Sequence, residues 1–198
     1  AFNRPLAFDT SRVVDMTSTF QNAAAFDQPL AWDTASVVGM AATFHNADAF
    51  DQLLVWDTSS VTTMDEMMNG ADVFDQPLAL ETGRVVTMQA MLANAASFNQ
   101  PLDFDTGSVT SMQRMLYYGA FNQPLDFDTS NVTDMTSMLH SAWFFRQPVP
   151  FSTARVTTLA NMFTDATAFN EPLLFDTGSS TTMGSMFYSA RLFNQPLA

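Results

Sequence analysis

The chain has 198 residues and a formal net charge of −13, with 20 Asp and Glu residues against seven basic residues, all of them Arg. Nucleic acid is not expected as a partner, because phosphate binding draws most of its free energy from clustered Lys and Arg. The 47% hydrophobic content suffices for a continuous core, and the absence of Cys excludes disulfides and thiolate metal sites. No apolar run approaches the roughly 18 residues that span a bilayer, and the first residues lack the apolar stretch of a secretory signal.

A single repeat occupies the whole of residues 1–198, which we therefore treat as one domain. Its spacing is 24 residues throughout, except for one spacing of 23 between Phe98 and Phe121. Counting each opening Phe as position 1, the pattern reads F-[N/D]-Q-P-L-x-[F/W]-D-T-[S/G/A]-x-V-[T/V]-x-M-x-x-M-[F/L]-x-x-A. The repeats begin at Phe2, Phe26, Phe50, Phe74, Phe98, Phe121, Phe145 and Phe169, and a partial one begins at Phe193.

Within each repeat, Leu at position 5 and Phe or Trp at position 7 alternate with an exposed residue, and β-branched residues stand at positions 12 and 13, which favours extended strand segments. Apolar residues at positions 12, 15, 18, 19 and 22 are spaced by three or four, which predicts a short helix. Pro at position 4 would end that helix. Nearly all of the 14 Met residues fall on this apolar stripe, so we interpret them as core rather than as a binding surface.

One such repeat cannot bury its apolar residues alone, whereas stacked repeats share a core. Segments such as residues 121–139, FNQPLDFDTSNVTDMTSML, resemble the BspA-like repeat, a leucine-rich-repeat relative of bacterial surface proteins. The resemblance implies a leucine-rich-repeat-like α/β solenoid, a right-handed stack of eight turns, each with short strands and one short helix. It also implies an extracellular or cell-surface location, a role in adhesion or protein binding, and no catalytic residues. Trp at position 7 occurs only as Trp32 and Trp56, a departure from the family pattern.

Catalysis is not expected, and neither is a cofactor. The two His residues, His45 and His140, both fall at position 20, in repeats four turns apart; at about 4.8 Å per turn they lie roughly 19 Å from each other, too far to share a metal. We expect each to have a surface role. No nucleophile elbow or phosphate-binding Gly-rich loop is present.

An acidic residue fills position 8 in seven of the eight repeats: Asp9, Asp33, Asp57, Glu81, Asp105, Asp128 and Asp176. A ladder of calcium sites is one interpretation, but calcium takes six to eight oxygen ligands and each turn offers one carboxylate here. The alternative is that each Asp accepts hydrogen bonds from the turn that follows it, an Asx-turn. We favour the Asx-turn and consider calcium an improbable partner.

Thr recurs at position 9 in all eight repeats, and a second, partial column occupies position 13. We expect the position 9 hydroxyls to bond locally, within their own turn. The position 13 column is the predicted partner-binding surface, and it consists of Thr62, Thr110, Thr133, Thr157 and Thr181. Val14, Val38 and Val86 interrupt it, which weighs against the minor alternative of an ice-binding surface.

The leading functional hypothesis is a non-catalytic surface protein that mediates adhesion or protein binding. The alternative is a structural linker or filament subunit that associates with copies of itself end to end. It is kept open because the sequence shows ordinary repeat residues at both ends, from Phe2 and up to Leu197, and no polar capping repeat.

Overall fold

The computed structural model describes residues 2–197 as a stack of eight repeats, each lying against the next. Over this range the backbone contains no helix and no strand longer than a single bridging residue. The repeats are joined at position 14 by parallel one-residue bridges, which connect in order Asp15, Gly39, Thr63, Thr87, Ser111, Asp134, Thr158 and Thr182. One further parallel bridge pairs Leu173 with Leu197.

The prediction of a leucine-rich-repeat-like α/β solenoid, with a helix and strand segments in each turn, is therefore wrong. The segment expected to be helical, positions 15 to 22, is a succession of tight turns. Within residues 2–197 no helix is long and apolar enough to cross a membrane, in agreement with the expectation from the sequence.

Left-handed backbone at two positions of every repeat prevents the helix. Positions 17 and 21 have φ between 51° and 71° in all eight repeats. A right-handed helix cannot pass through such residues, because it requires negative φ throughout. Asn, Gly and Asp fill five of the eight position 21 sites, and these types tolerate the left-handed region best. The residues concerned at position 21 are Asn22, Asn46, Gly70, Asn94, Tyr118, Ser141, Asp165 and Ser189.

Backbone hydrogen bonds in this segment alternate between the repeat itself and the next one. In the fourth repeat, Met91 N–H donates to the Met88 carbonyl three residues back, at 3.2 Å, as in a β-turn. The neighbouring Leu92 N–H donates instead to the Met115 carbonyl of the next repeat, at 3.0 Å. The apolar spacing of three thus arises from consecutive turns, while every second amide ties one repeat to its neighbour.

Aromatic columns run through the core along the stack. The Phe rings at position 1 stack on one another from Phe2 to Phe193 with centroids 5.5–6.3 Å apart, close to parallel. A second, shorter set at position 19 includes Phe20 and Phe44, with centroids 5.3 Å apart. Such stacking adds about 0.5–1.5 kcal/mol per pair to the free energy of burial.

The interpretation of the Met residues as core is confirmed for all but one of them. Thirteen are buried, and Met183 in the eighth repeat is 48% exposed.

The Thr residues at position 9 are also buried in the first seven repeats. Their hydroxyls do not bond within their own turn as expected. Instead Thr34 Oγ1 donates to the Asp57 carbonyl of the next repeat at 2.9 Å, and the same bond recurs at Thr58, Thr82, Thr106, Thr129 and Thr153.

Candidate functional site

The position 13 residues form one continuous surface column, because each lies beside the bridge that joins its repeat to the next. Val14, Val38 and Val86 are 59%, 45% and 47% exposed. The five predicted partner-binding Thr residues fill the rest of the column, three of them exposed and Thr62 and Thr133 half-exposed. The structure therefore brings all of the predicted residues together with the Val residues into a single β-branched strip.

The hydroxyls of this column already have partners within the chain. Thr110 Oγ1 donates to the Val86 carbonyl at 3.2 Å, Thr133 Oγ1 to the Thr110 carbonyl at 3.1 Å, and Thr157 Oγ1 to the Thr133 carbonyl at 3.0 Å. Thr62 and Thr181 make the same bond to the preceding repeat. These bonds hold the side chains in one orientation, and the hydroxyl protons are already donated to backbone carbonyls. This weighs against the ice-binding alternative and leaves a surface of ordered methyl groups.

A shallow groove of about 330 Å³ runs beside the first three residues of this column. At Gly39 the Asp15 side chain approaches the backbone closely, since an added Cβ would lie 2.9 Å from Asp15 Oδ1. The groove is lined by Val14, Asp15, Thr17, Val38, Gly39, Thr62 and Thr63.

The six Asp residues at position 8 form Asx-turns, which confirms the local interpretation for them, whereas Glu81 makes no such bond within residues 2–197. Asp57 Oδ1 accepts from the Ser59 amide at 3.0 Å and from its hydroxyl at 2.6 Å. These two bonds lower the pKa of Asp57, and the same arrangement with Ser11 lowers the pKa of Asp9. Amide bonds of this kind also occur at Asp33, Asp105, Asp128 and Asp176. Across residues 2–197 no three His, Asp or Glu side chains are grouped closely enough to hold a metal ion.

A second column, of Asp and Asn side chains, lies at position 2. Its role was not predicted from the sequence, although the pattern [N/D]-Q recurs there. Asp51 Oδ1 accepts from the Asp75 amide and from Gln76 Nε2 of the next repeat, both at 3.0 Å. Asp27 and Asp75 repeat this arrangement one turn away on either side. The column therefore joins adjacent repeats through side-chain hydrogen bonds.

A purely surface role would require both His residues to be exposed, but each is half-buried. His45 Nδ1 lies 2.8 Å from Glu66 Oε2, although without hydrogen-bond geometry. His140 is half-buried and its ring centroid lies 4.8 Å from that of Tyr117. Burial lowers the pKa of His140, opposed by the charge of Asp165, so we expect its imidazole to be neutral at neutral pH.

In the segments next to His140 lie four aromatic residues that the sequence patterns did not reveal, Tyr117 half-buried and the other three exposed. We call Tyr117, Tyr118, Trp143 and Phe144 the aromatic corner. The ring centroids of Tyr118 and Trp143 lie 4.6 Å apart in an edge-to-face arrangement, and Arg114 lies over the Tyr117 ring, 5.7 Å from its centroid. The available signal was compositional: two of the three Trp are buried at position 7, and the third, Trp143, lies outside the core pattern.

Comparison with models of known protein families assigns the chain to one of them. The family model described as "Mycoplasma protein of unknown function, DUF285" matches residues 1–80, 51–147 and 118–198, three overlapping segments that together span the chain. The chain belongs to this family. No curated protein matches the chain significantly, and no solved structure does either.

Membership in DUF285 corrects the resemblance drawn from residues 121–139. The matching family is this one and not the BspA-like leucine-rich repeat, and the helices and strands that the latter implied are not found in residues 2–197. The misassignment followed from the F-x-x-P-L and V-x-x-M spacing. That spacing records which residues face the core, and it does not distinguish a helix from a succession of turns.

Proposed function

We propose that the chain is a non-catalytic repeat protein of a cell surface that binds another protein through the position 13 column. The observation that supports this is the continuity of the column: eight successive repeats place a β-branched side chain at the same exposed position. Adhesion is the biological role that we predict for such binding. The surface location rested on the BspA-like resemblance and stays a prediction.

The chemistry of the column suits a protein partner. Val and Thr side chains are restricted about χ1, and the Thr hydroxyls are held by the preceding repeat, so little side-chain entropy is lost on binding. The methyl groups provide apolar area, and the groove beside Gly39 offers room for a partner side chain. A backbone fixed by inter-repeat hydrogen bonds keeps the residues in register over the length of the stack.

Site-specific photo-cross-linking tests this proposal. A benzoylphenylalanine at position 110, in the column, is compared with one at position 79, an exposed residue at position 6 of the fourth repeat. We expect the first to form an adduct with one protein on intact cells, and unlabelled chain to compete it away. Equal labelling from both positions, or none from position 110, would contradict the proposal.

A second candidate function is end-to-end association of copies in a structural assembly, through the same backbone groups that join adjacent repeats. At one edge, no backbone donor contacts the carbonyls of Asp15, Thr17, Thr19 and Gln21; at the other, the amides of Met183, Ser185, Phe187 and Ser189 have no backbone acceptor within residues 2–197. These are the same positions that pair between adjacent repeats. An apolar cavity of about 330 Å³ also opens beside Met183, Phe187 and Leu197.

Sedimentation of the 198-residue chain over a range of concentrations tests the second candidate. End association predicts a series of species that grows with concentration, and that grows further when salt screens the −13 charge. An Arg introduced at Phe187, within the cavity, should abolish the growth. A chain that stays monomeric at high concentration and moderate salt would rule the candidate out.

A further inference from the structure

The aromatic corner lies beside the single irregularity of the repeat. The fifth repeat is one residue shorter than the others, and the loss falls between Tyr118 and Phe121. The following repeat places Trp143 where other repeats have small or polar residues such as Ala24, and Phe144 where none of the other repeats has an aromatic residue. The stacking contacts continue through the short repeat, for example from the Tyr118 amide to the His140 carbonyl at 2.8 Å, but the place where the repeat length changes carries exposed aromatic rings.

Exposure of these rings has no structural explanation within the described residues. Tyr118, Trp143 and Phe144 are 41%, 37% and 56% exposed, whereas Trp32 and Trp56 are 9% and 5% exposed. Large aromatic side chains bury more apolar area than any others and are exposed together mainly at binding surfaces. Trp, Tyr and Arg are also the residues that contribute most to binding at protein interfaces.

Two of the seven Arg residues of this strongly acidic chain lie within three residues of the aromatic corner in the sequence. Arg114 lies over Tyr117, and Arg146 follows Phe144 by two residues. Neither guanidinium has a carboxylate within 4.0 Å in the part of the chain described, although acidic residues outnumber basic ones by 20 to seven. A planar guanidinium beside an aromatic ring can bind a carboxylate through two parallel hydrogen bonds.

We propose that the aromatic corner, with Arg114 and Arg146, is a second binding surface that accepts an acidic segment of a partner protein. The aromatic rings supply apolar contact, and the two guanidinium groups bind Asp or Glu side chains of the segment. This inference rests on the proposed function in assuming a protein partner, but it concerns a separate surface. It therefore gives the chain two contacts of different chemistry.

Selection from a phage-displayed library of random dodecapeptides, followed by fluorescence anisotropy of the enriched peptides, tests the proposal. We expect the enriched peptides to be rich in Asp and Glu. Trp143→Ala and Arg114→Gln should each raise the Kd at least about tenfold, as expected for interface residues of these types. Val55→Ala and Arg84→Gln, at exposed sites in other repeats, serve as matched controls and should change the Kd less than about twofold.

Three results would overturn the proposal: no enrichment, enriched peptides without acidic residues, or equal affinities in the corner and control variants. Binding of acidic glycans on an array, lost in the same two variants and with no peptide enriched, would also overturn it in favour of a carbohydrate ligand. The cross-link from position 110 reports on the other surface. An adduct there without peptide binding contradicts this inference alone, whereas the absence of both contradicts the proposed function as well.

Discussion

At the scale of single residues, short hydrogen bonds define the turns of each repeat. Asp at position 8 accepts from the residue two places on, and Asp or Asn at position 2 accepts from the next repeat. The first of these arrangements could be predicted from the D-T-[S/G/A] pattern, because Asp before a turn forms an Asx-turn with residues close in sequence. The second arrangement could not be predicted in the same way, because the donors lie 24 and 25 residues beyond the accepting side chain in the sequence.

Replacing Ser59 with Ala should raise the pKa of Asp57, because the substitution removes the hydroxyl that donates to its carboxylate at 2.6 Å. A pKa that is lowered in the folded state stabilises the fold above the unfolded-state pKa, and this contribution is lost as pH falls through the folded-state pKa. The variant should thus lose less stability in acid. Carboxyl chemical shifts followed by NMR against pH measure the change, and Asp9, with Ser11 intact, is the internal control. An unchanged titration of Asp57 would show that the hydroxyl does not stabilise the carboxylate.

Gly70→Ala should destabilise the chain by about 1–2 kcal/mol, the cost of left-handed backbone for a residue with a Cβ. Gly70 has a φ of +71°, and an added Cβ would meet the Asn46 side-chain oxygen, which must move. Gly184→Ala is the matched control, because the nearest atom to its added Cβ is 3.9 Å away. Urea unfolding of both variants gives the comparison. Equal midpoints would argue against left-handed backbone at position 21.

At the scale of the repeat, the sequence predicted which residues are buried and missed the backbone that buries them. Met64 and Met67 face the core as expected, but turns rather than a helix bring them there. A period of three to four residues is produced by a helix and also by consecutive turns in which every second amide bonds to a neighbouring repeat. Only the Asn, Gly and Asp residues of position 21 indicated the second arrangement, since they favour left-handed backbone.

Met112→Asp should cost several kcal/mol of stability, because Met112 is fully buried and the substitution places an unpaired carboxylate among apolar side chains. Thermal unfolding followed by circular dichroism measures the loss. Gln113→Asp, at the neighbouring half-exposed position, adds the same charge and should leave the melting temperature nearly unchanged. If the two variants melt alike, position 15 does not face the core.

At the scale of the whole molecule, the chain is held together by contacts between consecutive repeats along its length. The predicted partner-binding Thr residues do lie in one column, since residues at equal positions of a regular stack must align. The aromatic corner could not be predicted in this way, because it depends on a shortened repeat and on side chains outside the pattern, Tyr118 and Trp143.

Millimolar calcium should leave the melting temperature nearly unchanged. The Asp carboxylates of position 8 already accept amide hydrogen bonds, and within residues 2–197 no cluster of acidic side chains offers the several oxygens that calcium requires. Differential scanning calorimetry with calcium and with excess chelator provides the comparison. A rise of about 10 °C or more would show that a calcium-bound form exists.

Far-ultraviolet circular dichroism tests the architecture on which both proposed surfaces depend. Stacked repeats built from turns and single-residue bridges predict a spectrum without the paired minima of α-helix, and this spectrum should be lost cooperatively on heating. A helix of two to three turns in each repeat, as the apolar spacing first suggested, would give a strongly helical spectrum. That result would contradict the left-handed backbone at positions 17 and 21, and with it the stack that aligns the position 13 column and exposes the aromatic corner.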